Sequence, residues 1–149
     1  SWTRTPKEVP GVTCFHGDDG LGPFLARTKI LVALLPLTND TRGLLSADLF
    51  AKLPKGAGLI NAGRGGLQIE ADIINALDSG QLSEAVLDVF STEPLPKDNP
   101  LWRHPLVTLT PHNAALTGSE TGAREVAANL QRVLAGERPH NIVDTKAGY

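Results

Sequence analysis

Four short aliphatic runs punctuate the chain, and helical patterns fall between them. Residues 29–35, Lys-Ile-Leu-Val-Ala-Leu-Leu, form the clearest run. It is short, uninterrupted and free of alternation, as a strand covered on both faces would be. Residues 57–61 (Ala-Gly-Leu-Ile-Asn), 84–90 and 106–110 read as further strands. Ser46 can cap a helix running to 53, with Leu45, Leu49, Phe50 and Leu53 as its apolar side. A second helix is predicted over 70–79, where Ile69, Ile73, Ile74 and Leu77 share a face and Gly80 ends it. A third runs from about 119 to 134 and is stopped by Gly136 and Pro139. Strand and helix alternating over short links predict an α/β fold, a doubly wound parallel sheet wrapped by helices.

The size fits that plan, since 149 residues suit one domain with a sizeable core. A net charge of -2 with no Lys/Arg run makes nucleic acid or an anionic membrane an unexpected partner. No run of 18 apolar residues and no signal peptide stand out. The single Cys14 excludes an internal disulfide, fits a reducing cytoplasm, and is expected to be a plain buried thiol. No methionine is present and the chain starts at Ser1, so it is expected to be a piece of a longer protein. Residues 1–7 look like the end of a strand spilling into a polar loop. The strand, Gly-x-Gly-x-x-Gly, helix unit that opens a dinucleotide-binding sheet is not found. Gly56-Ala-Gly58 precedes its strand instead of following it, so both glycines read as turn residues.

Three chemically capable side chains each fall just past a predicted strand. Arg64, in Asn-Ala-Gly-Arg-Gly-Gly, follows the 57–61 run. Its flanking glycines would let backbone approach a ligand and leave the guanidinium uncovered for bidentate capture of a carboxylate. Glu93 follows the 84–90 run, and His112 the 106–110 run. The carboxyl ends of parallel strands share one edge of a sheet, where ligands of such folds sit. Together the three suggest a 2-oxo acid site. Arg64 would hold the carboxylate and carbonyl, and His112 would give a proton to the carbonyl oxygen as hydride reaches carbon. Glu93, hydrogen-bonded to His112, would fix its tautomer and stabilise the charged ring. His16, His104 and His140 lack such a setting and read as surface residues. No metal site is expected.

Asn-Ala-Gly-Arg-Gly at 61–65, Leu-Asp-Val-Phe-Ser-Thr-Glu-Pro at 87–94, Thr-Pro-His-Asn-Ala at 110–114 and Leu-Leu-Pro-Leu-Thr-Asn-Asp-Thr-Arg-Gly at 34–43 resemble the D-isomer-specific 2-hydroxyacid dehydrogenases. Ser-Trp-Thr-Arg-Thr-Pro-Lys at 1–7, Pro-Leu-Trp-Arg-His-Pro at 100–105 and the terminal Ala-Gly-Tyr are similar to the glyoxylate/hydroxypyruvate reductase A branch. The resemblance implies the same trio, Arg64, Glu93 and His112. It implies that Asp88 approaches the nicotinamide carboxamide, that Leu35, Pro36, Ala62 and Gly63 line the nicotinamide-ribose side, and that Asn113 touches the cofactor. Thr3, Arg4 and Thr5 stand where NAD-preferring members carry an acid, so NADPH is the expected cofactor with NADH possible. The implied activity is reduction of glyoxylate or hydroxypyruvate by the parent protein, with a phosphoglycerate or D-lactate dehydrogenase, or a dinucleotide-sensing binding module, as alternatives. Residues 1–116 would form an incomplete Rossmann-type NAD(P)-binding domain from its second strand onward. Residues 117–149 would form a helix and tail returning to an absent substrate domain. The 149 residues alone are expected to turn over nothing, and the parent to be a cytoplasmic homodimer.

Overall fold

The computed structural model describes residues 1–145, so the terminal Ala-Gly-Tyr lies outside the described residues. Every strand pair is parallel, in agreement with the α/β expectation, but the strands form two sheets. β1 (Trp2–Thr3) pairs with β2 (Phe15–His16), and a nine-residue helix α1 (Gly17–Leu25) follows. The larger sheet has the order β3 (Ile30–Ala33), β4 (Ala57–Asn61), β5 (Leu82–Leu87), β6 (Val107–Leu109). Between these strands lie α2 (Ala47–Phe50), α3 (Glu70–Asp78) and two 3₁₀ turns, and α4 (Ser119–Leu134) closes the order.

The core is aliphatic. Leu31 and Ala33 of β3, Ala57 and Leu59 of β4, and Leu82, Ala85 and Leu87 of β5 pack with Leu45, Leu49, Phe50, Leu53, Leu67, Ile73 and Leu77. Within α3 the buried residues are Ile73, Ala76 and Leu77, while Ile69 is largely exposed, so the apolar face is shifted from the expected one. α2 ends earlier than expected because Lys52 and Leu53 bond three residues back, to Leu49 and Phe50, ahead of Pro54. Ser46 occupies the cap position of α2 without a side-chain bond. The Asp72 carboxylate of α3 accepts from the Ala47 N–H instead (2.9 Å). This ties the two helices together.

Other expectations are corrected. β3 is bare on one face, with Ile30 61%, Val32 51% and Leu34 69% exposed. The reason is its place at the end of the larger sheet, where only its Leu31 and Ala33 face meets the core. Gly56 is a turn residue at φ +78, but Gly58 lies inside β4. Cys14 is only half-buried and accepts from the Ser1 hydroxyl (3.4 Å). His104 is not a surface residue, since its side chain is 10% exposed. Its Nε2 faces Asp78 Oδ1 (3.3 Å), and its Nδ1 accepts from the Leu106 N–H (3.2 Å). None of α4's residues is buried. Among the described residues no helix is long and apolar enough to cross a membrane.

Candidate active site

β4 ends on Asn61, which has no solvent-exposed surface and governs the turn that follows. Its Oδ1 accepts from the Gly63 N–H (3.1 Å), and its Nδ2 donates to the Arg64 carbonyl (3.3 Å) and to Gln68 Oε1 (2.8 Å). Gln68, also buried, donates its Nε2 to the Val89 carbonyl just beyond β5 (3.0 Å). The glycines beside Arg64 answer a packing demand. A Cβ on Gly65 would fall 1.8 Å from the Phe90 carbonyl oxygen, and one on Gly63 would fall 3.1 Å from that of Leu35. The loops leaving β3, β4 and β5 therefore touch backbone to backbone, as only glycine permits. Arg64 stands between these glycines, exposed, with Nη1 donating to the Gly63 carbonyl (2.8 Å).

Glu93 lies in the loop past β5. Its Oε1 accepts from the Phe90 N–H (2.9 Å) and its Oε2 from His112 Nδ1 (2.8 Å). The bond from His112 holds the Glu93 carboxyl below its ordinary range. The Phe90 N–H adds to this, burial opposes it, and the charges of His112 and Arg64 add again. Glu70, at the start of α3, accepts from the Ser91 N–H and from Asn99 Nδ2 (both 2.9 Å), which fixes the loop on either side of Glu93.

His112 sits past β6 at φ +54, a left-handed conformation costly for a residue with a Cβ. The buried Asp88 holds it there. Asp88 Oδ1 accepts from the Thr110 hydroxyl and the Asn113 N–H (3.0 Å), and Oδ2 from the Ala114 N–H (3.0 Å). Burial raises the Asp88 carboxyl. The bonds from Thr110, Ala114 and Asn113, with the nearby His112 charge, outweigh that and leave it below its ordinary range. A cavity of about 650 Å³ opens against Glu93 and His112, walled by Phe90, Leu95, Trp102 and Leu109.

β4, β5 and β6 run parallel, so Arg64, Glu93 and His112 follow strand ends on one rim. Glu93 and His112 are in direct contact, and Arg64 lies on the adjoining loop outside the lining of the cavity. Residues 2–114 match the D-isomer specific 2-hydroxyacid dehydrogenase, NAD binding domain. The chain belongs to this dehydrogenase family.

Its relatives in that family span more sequence. The chain is 47% identical over 148 residues to the glyoxylate/hydroxypyruvate reductase A of Serratia proteamaculans, covering 99% of itself and 47% of that protein. A D-isomer specific 2-hydroxyacid dehydrogenase from Xanthobacter autotrophicus Py2, solved in complex with NADPH and MES, matches with a TM-score of 0.96 and 49% identity. That match covers 99% of this chain and 61% of the other. The NADPH-dependent glyoxylate/hydroxypyruvate reductase of Sinorhizobium meliloti, solved with NADP and sulfate, matches with a TM-score of 0.94 and 44% identity, over 99% and 48% of the two chains.

The dehydrogenase residues expected to face a cofactor lie at strand ends too. Thr3 ends β1, and its hydroxyl donates to the Thr5 carbonyl (2.7 Å), with Arg4 between them. Leu35 and Pro36 follow β3, Ala62 and Gly63 follow β4, and Asn113 follows His112. Asn61, Gln68, Glu70 and Thr110 escaped the sequence reading. The signal that could have found the first two is a carboxamide in apolar company. Asn61 closes an aliphatic strand, and Gln68 stands between Leu67 and Ile69.

Proposed function

We propose that the protein carrying this chain reduces a small 2-oxo acid, glyoxylate or hydroxypyruvate first, to the 2-hydroxy acid, with NADPH as reductant. The observation that carries this reading is the 2.8 Å His112–Glu93 bond on a rim that also bears Arg64. In this reading Arg64 grips the substrate carboxylate and orients its carbonyl. With Nδ1 held by Glu93, His112 has Nε2 left to protonate the carbonyl oxygen. The ring becomes neutral in that step and keeps its Nδ1 proton on Glu93, and water later restores the Nε2 proton. Glu93 stays ionised throughout, which its lowered range supports. A positioned acid of this kind contributes roughly 100- to 10,000-fold in rate.

The residues present fit a dinucleotide. Arg4 follows a parallel strand end between two hydroxyl residues, with no acid among Thr3, Arg4 and Thr5, a donor set suited to a 2′-phosphate. Asp88 Oδ2 carries one bond and retains a lone pair that a carboxamide N–H can use. Leu35, Pro36, Ala62, Gly63 and Asn113 would line the nicotinamide side. When bound, NADPH supplies the hydride. The relatives solved with NADPH and NADP support this choice over NADH. We assign residues 1–116 to the NAD(P)-binding domain and 117–149 to a helix and tail that return to a substrate domain. The exposed Val126, Leu130, Val133 and Leu134 of α4 support that assignment. The reading extends to a cytoplasmic homodimer.

The test is steady-state kinetics of the full-length protein on glyoxylate, hydroxypyruvate and pyruvate with NADPH and NADH. The reading expects NADPH oxidation with the first two substrates to exceed that with pyruvate. It also expects His112→Asn to lower kcat about 100-fold or more. Asparagine tolerates the left-handed backbone of this position. Undiminished turnover in that variant, or a preference for pyruvate with NADH, would overturn it.

A further inference from the structure

Between Arg64 and the Glu93–His112 pair lies a buried chain of carboxamides. Asn61 receives the Gly63 N–H and donates to the Arg64 carbonyl, so it sets the backbone on both sides of the arginine's Cα. Asn61 has little freedom of its own, because Nδ2 also donates to Gln68 Oε1 (2.8 Å). Gln68 is held at its other end by the Val89 carbonyl (3.0 Å), four residues before Glu93. Both side chains are more than nine-tenths buried, at 0% and 4% exposure. A buried carboxamide that finds all its partners is a rigid spacer, because leaving any of these bonds unmade in a dry interior is costly.

We propose that Gln68 is a positioning residue for Arg64: it spans the carboxyl ends of β4 and β5 through Asn61 and sets the guanidinium's loop at a fixed distance from the Glu93 loop. Gly65 meets Phe90 backbone to backbone, so the two loops are already in contact, and Gln68 determines how they register. The role rests on the reductase reading for its kinetic consequence, though not for its structural one. A misplacement on the order of 1 Å near the chemistry is enough to cost up to about 100-fold.

The experiment compares wild type, Gln68→Met and Gln68→Glu in the full-length protein. Methionine fills the same volume without either hydrogen bond. Gln68→Met is expected to raise KM for glyoxylate by about tenfold while affinity for NADPH, which the Thr3–Thr5 end of its site also holds, falls by much less and the pH profile of kcat stays unchanged, since most of the loss falls on substrate orientation. Gln68→Glu can donate to Val89 and accept from Asn61 only when protonated. Its KM relative to wild type is therefore expected to fall towards unity as pH is lowered. A KM ratio within twofold for Gln68→Met, or a glutamate variant whose ratio ignores pH, would overturn the proposal. So would NADPH affinity falling in step with KM, the mark of general loosening. Should Gln68→Met fail to fold, the glutamate variant carries the test. Hydrogen exchange at the Gly63 amide gives a readout independent of turnover. It should quicken by about tenfold in Gln68→Met while amides in β4 hold their rates. Unchanged Gly63 exchange defeats the positioning role even if the protein is an active reductase. A wild type without turnover defeats the reductase reading and leaves the exchange comparison to decide this one.

Discussion

Gly65 shows how a single residue shapes the candidate site. A side chain there would occupy the space of the Phe90 backbone, so Gly65→Ala must push the Arg64 and Glu93 loops apart. Such overpacking costs about 3 kcal/mol. Chemical denaturation should report that loss, and the alanine variant should lose turnover beyond it. Wild-type stability would show that the loops yield freely. Asp88 makes a second case, with a definite sign. Its carboxyl lies lower in the fold than in the unfolded chain, where it titrates near about 3.9. Its stabilisation is complete above that value and is lost as pH falls through it towards the lowered folded value. Asp88→Asn should be less stable by about 2 kcal/mol at neutral pH, a deficit that holds to about pH 5 and shrinks below about pH 4. Urea unfolding of both proteins from pH 7 to 3 measures it, and a deficit constant to pH 3 would contradict the argument. At this scale the sequence reading named Arg64, Glu93, His112 and Asp88 from loop position and resemblance. Gln68 shows in sequence only as a carboxamide between Leu67 and Ile69, and Glu70 not at all, because their importance lies in which distant backbone groups they meet.

Elements were legible where periodicity was strong. β4 and α4 fall on the residues expected, and α3 differs by one residue at its end. β5 starts two residues earlier than expected and stops at Leu87, because beyond Asp88, whose N–H still donates to the Asn61 carbonyl, the Val89 carbonyl turns to Gln68 and the Phe90 N–H to Glu93 to build the site. α1 went unseen because Gly17, Gly20, Gly22 and Pro23 give its nine residues a poor intrinsic propensity. Tertiary contacts override that propensity. The Phe15 and Phe24 rings meet at 6.1 Å, and Trp2 Nε1 donates to the Gly17 carbonyl (2.8 Å). Ser46 holds the cap position of α2 as expected, but the side chain that bonds the helix N-terminus is Asp72, because sequence shows a local capper readily and a distant one hardly at all. Asp72 serves α2 from 25 residues away. Asp72→Ala should therefore cost about 1 kcal/mol, and Ser46→Ala close to nothing. Thermal melts of the two variants separate them, and a larger loss at Ser46 would refute the assignment.

The whole molecule is unevenly stabilised. The larger sheet and its two helices enclose the aliphatic core, whereas β3 shows a bare outer face and α4 contributes no buried residue. A 16-residue helix without a buried face is only marginally stable in water. In the isolated 149-residue chain, amides of α4 should exchange orders of magnitude faster than those of β4. In the full-length protein they should approach the β4 rates. Equal protection of α4 in both would count against its proposed return to a further domain. The chemistry is proposed to reside on the rim past β4, β5 and β6. The most direct test of that proposal is a crystal structure of the full-length protein with NADPH and oxamate, a stable 2-oxo acid mimic. The account predicts the oxamate carboxylate on the Arg64 guanidinium and its amide carbonyl oxygen within hydrogen-bond reach of His112 Nε2, with Nδ1 still on Glu93. Oxamate bound away from Arg64, or a His112 ring turned from both Glu93 and the ligand, would contradict it.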